Sequence, residues 1–282
     1  VAIGSTTINA GTNYNLQAWT SNPNGLPDAF PENDSTEING LVASLSGVYT
    51  IGGTTPDFPD FTSAVQALHT AGVVGPVTFN VRDGNYNEQI SIREVLGASS
   101  QNPILFQSEN GASSLVTLSF TSINATDNYT LQLDGADWVS FKSIGLKSLS
   151  TNYIQVVHIL NAATNIEFRN CHIEAATRGS YYAINIPNGL NEYLRFYNNY
   201  FKFGYAGIGH EGNTSSSEKT RGLIIDGNTF VDQTYANIFV RNQEGLMITG
   251  NKTSGSPFGC YVQSSSFGKI DGNALTNFSQ GG

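Results

Sequence analysis

An eight-residue phrase that recurs along the chain most constrains what this sequence can fold into. Six copies align without gaps between Val139 and Leu275, and they read VSFKSIGL, IEFRNCHI, LRFYNNYF, LIIDGNTF, LMITGNKT and GKIDGNAL. The third position of each copy is large and apolar, and successive copies lie 22 to 29 residues apart. Self-similarity at such a period is typical of a solenoid, in which each repeat packs only on its neighbours.

Apolar and polar residues alternate within each copy, on both sides of a Gly/Asn break. Alternation with a period of two is the pattern of a strand, so each copy predicts a strand, a tight bend and a second strand. The repeat therefore predicts an all-β chain folded as a right-handed parallel β-helix of about eight coils. Successive coils of that fold lie ~4.8 Å apart, so equivalent side chains stack on each other.

The sixth position of the phrase predicts a buried column of asparagines. It is Asn in the last four copies, at Asn199, Asn228, Asn251 and Asn273. Asparagine tolerates the left-handed backbone of a tight bend, and its amide can bond to the bend of the next coil. The first two copies have Ile144 and Cys171 at this position, which indicates that the column becomes apolar toward the N-terminal end.

The segment DFPDFTSAVQALHTAG, residues 57–72, carries the one clear helix pattern. Its apolar residues recur at helical spacing, Asp57 or Asp60 can cap the start, and Gly72 can end the helix. A helix placed just before the first coil would cover the open edges of the sheets. We therefore predict an N-terminal capping α-helix.

Residues 1–45 differ from the rest of the chain. VAIGSTTI and YNLQAW are strand candidates, and a run with three prolines follows them. Two strands cannot fold alone, so we expect the closing strands of a preceding β-sandwich repeat or an arm packed on the solenoid. The β-helix is expected to occupy residues 46–282 and to continue beyond the chain end, because the last coil has no apolar cap.

Composition excludes several classes of partner. The chain has 13 basic and 22 acidic residues, a net charge of −9, and only 12% charged residues, which disfavours nucleic acid and anionic membranes. No apolar run is long enough for membrane insertion. Cys171 and Cys260 fall about three coils apart, too far for a disulfide, so both are predicted to be reduced and buried. No zinc-ligand or calcium-loop spacing occurs, and we predict neither a metal nor a cofactor.

The run SGVYTIGGTTPDFPDFTSAVQALHTAGVVGPVTFNVRDGNYNEQISI, residues 46–92, followed by GASSQNPILFQS, resembles the entry segment of pectin-lyase-like β-helix modules in large secreted surface proteins of Bacteroidota. YNLQAWTSNPNGLPDAFPENDST, residues 14–36, is similar to the end of the immunoglobulin-like repeats that precede such modules. The resemblance covers roughly the first 110 residues. It implies an adhesin-like protein of the cell surface, exported by type IX secretion for attachment or gliding, and it brings no catalytic residue.

Candidate catalytic groups are weakly specified. GNYNEQ resembles an early strand of pectin methylesterases, and β-helices host polysaccharide lyases and glycoside hydrolases, but this is an analogy of fold. Glycoside hydrolysis needs two carboxylates about 5 to 10 Å apart. Asp226 and Asp271 are two coils apart and are interpreted as bend residues.

Other polar residues are candidates for catalytic groups. His210 and Glu211, in GIGHEGN, form the best active-site fragment, against the alternative of a flexible insertion with an exposed histidine. His158 is interpreted as a core or turn residue and His172 as an outward one. A further charged set is interpreted as solvated loop charge: Lys219, Arg221, Asp232, Arg241 and Glu244.

Tyrosines crowd into residues 181–205. If Phe196 and Phe201 point inward, alternation places Tyr197 and Tyr200 outside. Exposed aromatic rings on a flat sheet can stack on sugar rings, so Tyr197 and Tyr200 are the predicted carbohydrate-binding residues.

These observations predict a structural and adhesive segment of a large extracellular cell-surface protein. Its expected partners are a polysaccharide or surface glycan and neighbouring domains of the same polypeptide. The alternative is a carbohydrate-active enzyme, a polysaccharide lyase or glycoside hydrolase, and a third interpretation is a spacer without a ligand. No charged cluster specifies catalysis. The sequence therefore favours a protein without enzymatic activity over an enzyme, and it predicts no cleavage of pectin or alginate.

Overall fold

The computed structural model describes residues 13–19, 35–214, 218–266 and 268–276. These residues form a right-handed parallel β-helix, with three long parallel sheets and one α-helix, as the sequence predicted. Each coil adds one strand to each sheet, and the second sheet counts eight strands, which matches the predicted number of coils.

The first sheet contains nine strands, each paired with its neighbour in the next coil. In chain order they are β3 (Leu45–Ile51), β4 (Val73–Val81), β7 (Ile104–Ser108), β10 (Val139–Lys142), β13 (Glu167–Arg169), β16 (Arg195–Tyr197), β20 (Ile224–Asp226), β24 (Met247–Thr249) and β27 (Lys269–Asp271).

The second sheet contains the strands that follow the bend of the repeated phrase. They are β5 (Gly84–Asn87), β8 (Val116–Phe120), β11 (Gly145–Ser148), β14 (His172–Glu174), β17 (Tyr200–Lys202), β21 (Thr229–Val231), β25 (Lys252–Ser254) and β28 (Ala274–Thr276).

The third sheet contains seven strands and closes each coil. They are β6 (Ile90–Arg93), β9 (Leu131–Asp134), β12 (Val157–Leu160), β15 (Ile184–Ile186), β18 (Ala206–His210), β22 (Ala236–Arg241) and β26 (Phe258–Gln263). A short parallel pair, β19 (Thr220–Arg221) and β23 (Gln243–Glu244), lies between the third and first sheets along the chain.

The third position of the repeat forms a ladder of phenylalanines inside the first sheet. Neighbouring ring centroids lie 4.7 to 5.8 Å apart along the column Phe79, Phe106, Phe141, Phe168 and Phe196. All five side chains are fully buried. Later coils continue the column with isoleucine, so the core is one continuous stack of like on like.

The predicted asparagine ladder is present at the bend between the first and second sheets. Asn228 shows its chemistry: its Oδ1 accepts hydrogen bonds from the backbone N–H (2.8 Å) and the side-chain Nδ2 (2.9 Å) of Asn199. Its own Nδ2 donates to the carbonyl of Phe196 in the preceding coil and to Oδ1 of Asn251 in the next. Asn199, Asn228 and Asn251 are buried, while Asn273, in the last described coil, is half-buried.

The helix α1 (Phe61–Ala71) covers the core ahead of the first complete coil. Asp60 is the N-cap and accepts a hydrogen bond from the N–H of Ser63, whereas Asp57, the alternative cap, instead accepts from Thr50. Glu88 accepts hydrogen bonds from the first two helical N–H groups. Gly72 ends the helix at φ +64, a left-handed conformation that costs glycine little. The apolar face packs inward through Phe61 and its neighbours.

The residues before the β-helix form a separate antiparallel pair, β1 (Asn13–Trp19) and β2 (Ser35–Val42). The first strand of the parallel sheets is β3, which pairs with β4. The strand candidate VAIGSTTI and most of the proline-containing run lie outside the described residues. The preceding β-sandwich or packed arm therefore stays a prediction.

Both cysteines are free, as predicted. Cys171 is buried in the asparagine column, as predicted, and its backbone N–H donates to Oδ1 of Asn199. Cys260, on β26 of the third sheet, was predicted to be buried but is half-buried. Burial raises the pKa of each thiol to about 12, so both are protonated at neutral pH.

Replacing Asn228 by leucine should lower the free energy of unfolding by ~1 to 3 kcal/mol, because it removes the hydrogen bonds to the buried backbone N–H of Asn199 and carbonyl of Phe196 in the preceding coil. The measurement is chemical denaturation followed by circular dichroism. Asn152→Leu, at an exposed loop position, is the matched control and should change stability by less than ~0.5 kcal/mol. Equal stability of the two variants would contradict a stabilising ladder.

Candidate functional site

The outer face of the third sheet presents one row of side chains, with one residue from each strand in register. The row runs Ser91, Gln132, His158, Asn185, Gly209, Phe239 and Tyr261. Its first four members are polar and half-buried. Its last three lie beneath or within a group of aromatic rings, so the face has a polar half and an aromatic half.

The aromatic half is extended by residues at the starts of the strands. Tyr205 stacks on Tyr235 at 5.0 Å between ring centroids, and Phe239 stacks on Tyr261 at the same distance. Tyr182 bridges the two pairs, at 5.8 Å from Tyr205 and 5.7 Å from Phe239. We call these rings, together with the 43% exposed Phe258, the aromatic surface.

Gly209 makes this arrangement possible. A Cβ atom at Gly209 would lie 2.4 Å from the ring of Tyr182, which is closer than real carbon contacts allow. The missing side chain lets the Tyr182 ring lie flat on the sheet, next to Phe239. Any larger residue at this position would displace the ring.

An ion pair borders the aromatic surface. Arg241 Nη1 lies 3.3 Å from Glu211 Oε2, and its guanidinium lies 4.6 Å from the centre of the Phe239 ring. The hydroxyl of Tyr182 donates to Glu211 Oε1 at 3.3 Å. Burial and the charge of Glu211 raise the pKa of Tyr182, so it stays a hydrogen-bond donor. The group offers a carboxylate, a guanidinium and a phenol beside aromatic rings.

The structure corrects the interpretation of GIGHEGN. Residues 206–210 form a buried strand of the third sheet and not a flexible insertion, and His210 points into the core with 1% exposure. His210 pairs with Ile186 and Val240, and neither ring nitrogen has a hydrogen-bond partner among the described residues. His210 therefore cannot act with Glu211 at the surface. Glu211, the next residue, does point outward to Arg241.

Tyr197 and Tyr200, the predicted carbohydrate-binding residues, point outward as expected but lie on different sheets. Tyr197 is on the first sheet under the guanidinium of Arg169, at 4.4 Å, and Tyr200 is on the second sheet beside His172, at 4.8 Å. The bend at Asn199 separates them, so they do not form one platform. Sugar binding by these two residues stays a prediction.

The remaining sequence candidates have local roles. Asp226 and Asp271 are two coils apart, with Thr249 between them, and Asp226 accepts a hydrogen bond from Thr249. Arg221 forms an ion pair with Glu244. His158, which was interpreted as a core or turn residue, lies half-buried on the outer row and not in the core. Partial burial lowers its pKa.

The other members of the charged set do not gather into one group. Lys219 donates to Ser266, and Asp232 lies at a different bend, beside Gly255. His172 faces outward as predicted, 3.3 Å from Glu174. The residues that the structure describes contain no group of three or more His, Cys, Asp or Glu that could hold a metal ion. They also include no helix of the length and apolarity needed to cross a bilayer.

Comparison with known proteins yields matches only among solved structures. No family model and no curated protein matches the chain. Pectin methylesterase from Aspergillus niger is 17% identical over 81% of this chain and 87% of its own, with a TM-score of 0.46. A pectin methylesterase variant in complex with a hexasaccharide is 11% identical over 80% of this chain and 68% of its own, with a TM-score of 0.51.

At such identities the likeness shows the fold. It confirms the pectin-lyase-like β-helix that the entry segment implied. A Bacteroidota origin, type IX secretion and an immunoglobulin-like repeat stay predictions.

The aromatic surface was missed in the sequence. Tyr182 and Tyr205 belong to the crowded segment, but Tyr235, Phe239 and Tyr261 come from coils where no crowding is visible. One signal was available: YAGIGH, YANIFV and FGCYVQ start the third-sheet strands of three successive coils with an aromatic residue at or just before the strand.

Acid should destabilise the protein through His210. Burial lowers the pKa of His210 to about 3, from 6.5 in the unfolded chain. As pH falls below 6.5 the unfolded chain takes up a proton that the folded chain does not, so stability is lost between pH 6.5 and about 3. By pH 4 the loss should be about 3 kcal/mol. His210→Val, which matches Val240 in the same column, should remove this part of the pH dependence of unfolding. Parallel pH profiles of the two proteins would contradict the assignment.

Proposed function

We propose that this chain binds a polysaccharide along the outer face of the third sheet. The observation that carries the proposal is the aromatic surface, bordered by the Tyr182, Glu211 and Arg241 group. The faces of sugar rings present C–H groups that pack on aromatic rings, and Tyr adds a polar edge. Glu211 and Arg241 can hydrogen-bond to hydroxyl groups at the margin of such a stack.

The geometry suits an elongated ligand. The outer row has seven members, so it spans six strand spacings, on the order of 29 Å at ~4.8 Å each. A row of this length fits a chain of sugars better than a single small molecule. Stacked rings along the axis of the β-helix offer repeated contacts to a repeating ligand.

The structural neighbours support a carbohydrate-active protein more than an adhesive segment. They are pectin methylesterases, and one was solved with a hexasaccharide. An adhesive role needs binding alone, whereas a carbohydrate-active role needs chemistry beside the aromatic surface, where Glu211 is the acid–base group at hand. A polysaccharide partner also supports an extracellular location, which we include in the proposal.

Tyr261→Ala and Tyr235→Ala should each weaken polysaccharide binding about three- to tenfold, because each removes one stacking ring. Affinity electrophoresis against pectin, alginate, xylan and galactan would identify the ligand, and calorimetry with its oligosaccharide would give the affinity. Tyr197→Ala and Tyr200→Ala, outward tyrosines of the other two sheets, are the matched comparison. Unchanged binding in the first pair with loss in the second would move the site to Tyr197 and Tyr200.

Glu211→Gln separates binding from turnover. A carbohydrate-active enzyme should release methanol, unsaturated products or reducing ends from the bound polysaccharide, and Glu211→Gln should abolish that release while the ligand still binds. An adhesive segment should release none of these products from any ligand that it binds. Product release that is equal in wild type and Glu211→Gln would exclude Glu211 as the acid–base group.

A further inference from the structure

A groove lies at the N-terminal end of the third sheet, at the opposite end from the aromatic surface. The groove, of about 540 Å³, separates helix α1 from strand β6. Its polar lining comes from both elements: Thr62, Gln66, His69, Thr70, Ser91 and Arg93. None of the described lining residues is a carboxylate, although the chain carries a net charge of −9.

His69 presents a hydrogen-bond donor at this groove. Its Nε2 accepts the backbone N–H of Arg93 at 3.0 Å. A neutral imidazole that accepts at one nitrogen carries its proton on the other, so Nδ1 is a donor. The same contact fixes the helix to the strand and holds the ring at the groove.

Arg93 supplies a positive charge. Its side chain is exposed, and the described residues include no ion-pair partner for it. Asp134, the register partner of Arg93 on β9, accepts a hydrogen bond from Asn161 and forms no ion pair with Arg93, and Glu88 accepts hydrogen bonds from the start of the helix. The guanidinium is therefore available to a ligand.

The groove continues into the outer row. Ser91 lines the groove and is also the first member of the row, and its hydroxyl donates to Gln132 Oε1 at 2.9 Å. This contact leaves the amide Nε2 of Gln132 as a further donor on the outer row, next to Ser91. One face thus begins with a cation and hydrogen-bond donors and ends with aromatic rings.

Two lysines on the second sheet are neutralised by a carboxylate of the protein itself. On the second sheet Lys147 and Lys202 lie 2.9 and 3.5 Å from Glu174, which sits between them in register. The groove differs because Arg93, although Asp134 is its register partner on β9, lies within ion-pair distance of no carboxylate among the described residues. An anionic ligand would gain more at the groove, where it neutralises an unpaired charge.

We infer that the groove between α1 and β6 binds the anionic group of a sugar, a carboxylate or a sulfate ester, and that the polysaccharide is therefore acidic. The inference rests on the proposed binding along the third sheet and names the class of its ligand. Arg93 forms a charge-assisted hydrogen bond to the anionic group, and His69 Nδ1 and the Gln66 amide donate to its remaining oxygens. The aromatic surface then holds sugar rings further along the same chain.

Arg93→Gln tests the inference. It should weaken binding of an oligogalacturonate about tenfold and leave binding of the carboxyl-reduced, neutral oligosaccharide unchanged. Arg195→Gln is the matched control, since it removes the same charge from an outward strand position of the first sheet. A sulfated galactan oligosaccharide in place of the oligogalacturonate distinguishes sulfate from carboxylate.

A second readout reports from the groove itself. Partial burial and, to a smaller extent, the positive charge of Arg93 lower the pKa of His69. An anion bound at the groove should raise the pKa of His69, measured by NMR titration with signals assigned through His69→Gln, and Arg93→Gln should abolish that change.

The outcomes separate this inference from the proposed function. Equal effects of Arg93→Gln on acidic and neutral oligosaccharides, or a His69 pKa unmoved by the acidic ligand, would overturn the anionic subsite. If Tyr261→Ala still weakens both ligands in that case, binding along the sheet stands. If Tyr261→Ala weakens neither, the proposed function fails with it.

Discussion

Backbone hydrogen bonding between successive coils places every residue one strand spacing from its equivalent in the next coil, and the rest of the structure depends on this constraint. A parallel ladder forces like side chains onto like. Phenylalanines therefore stack inside the first sheet, and asparagines stack at the bend. The same constraint acts outside the core, where it gathers rings from separate coils into the aromatic surface.

The core could be predicted because its columns recur at a fixed place in the phrase. The positions of Phe141, Phe168 and Asn228 in the phrase indicate both the period of the repeat and the inward direction of these side chains. The third sheet could not be predicted in this way, because the turns that lead into it vary in length and its strands share no fixed phrase. His210 is an example. It lies in strand β18, whose sequence AGIGH contains two glycines and therefore lacks the alternation of apolar and polar residues that predicts a strand.

The candidate site could be predicted only in part from the sequence. The crowding of tyrosines indicated the correct region, but alternation about Phe196 and Phe201 selected Tyr197 and Tyr200, which the bend at Asn199 assigns to different sheets. The bend at the buried Asn199 thus directs the side chains of two residues that are close in sequence to different faces of the β-helix. Residues 30 positions apart, such as Tyr205 and Tyr235, instead become ring-stacking partners.

The asparagine ladder also has a polarity. Each Oδ1 accepts from the backbone N–H of the coil before it, as Asn199 does for Cys171 and Asn228 does for Asn199. Loss of one asparagine therefore leaves a backbone N–H of the preceding coil without its acceptor. In the following coil the loss removes only a side-chain contact, the Nδ2 donation to the next Oδ1, and the backbone N–H there keeps its acceptor one coil further on. Each coil thus depends on the asparagine of its successor for a backbone hydrogen bond, so a defect leaves backbone groups unpaired on its N-terminal side.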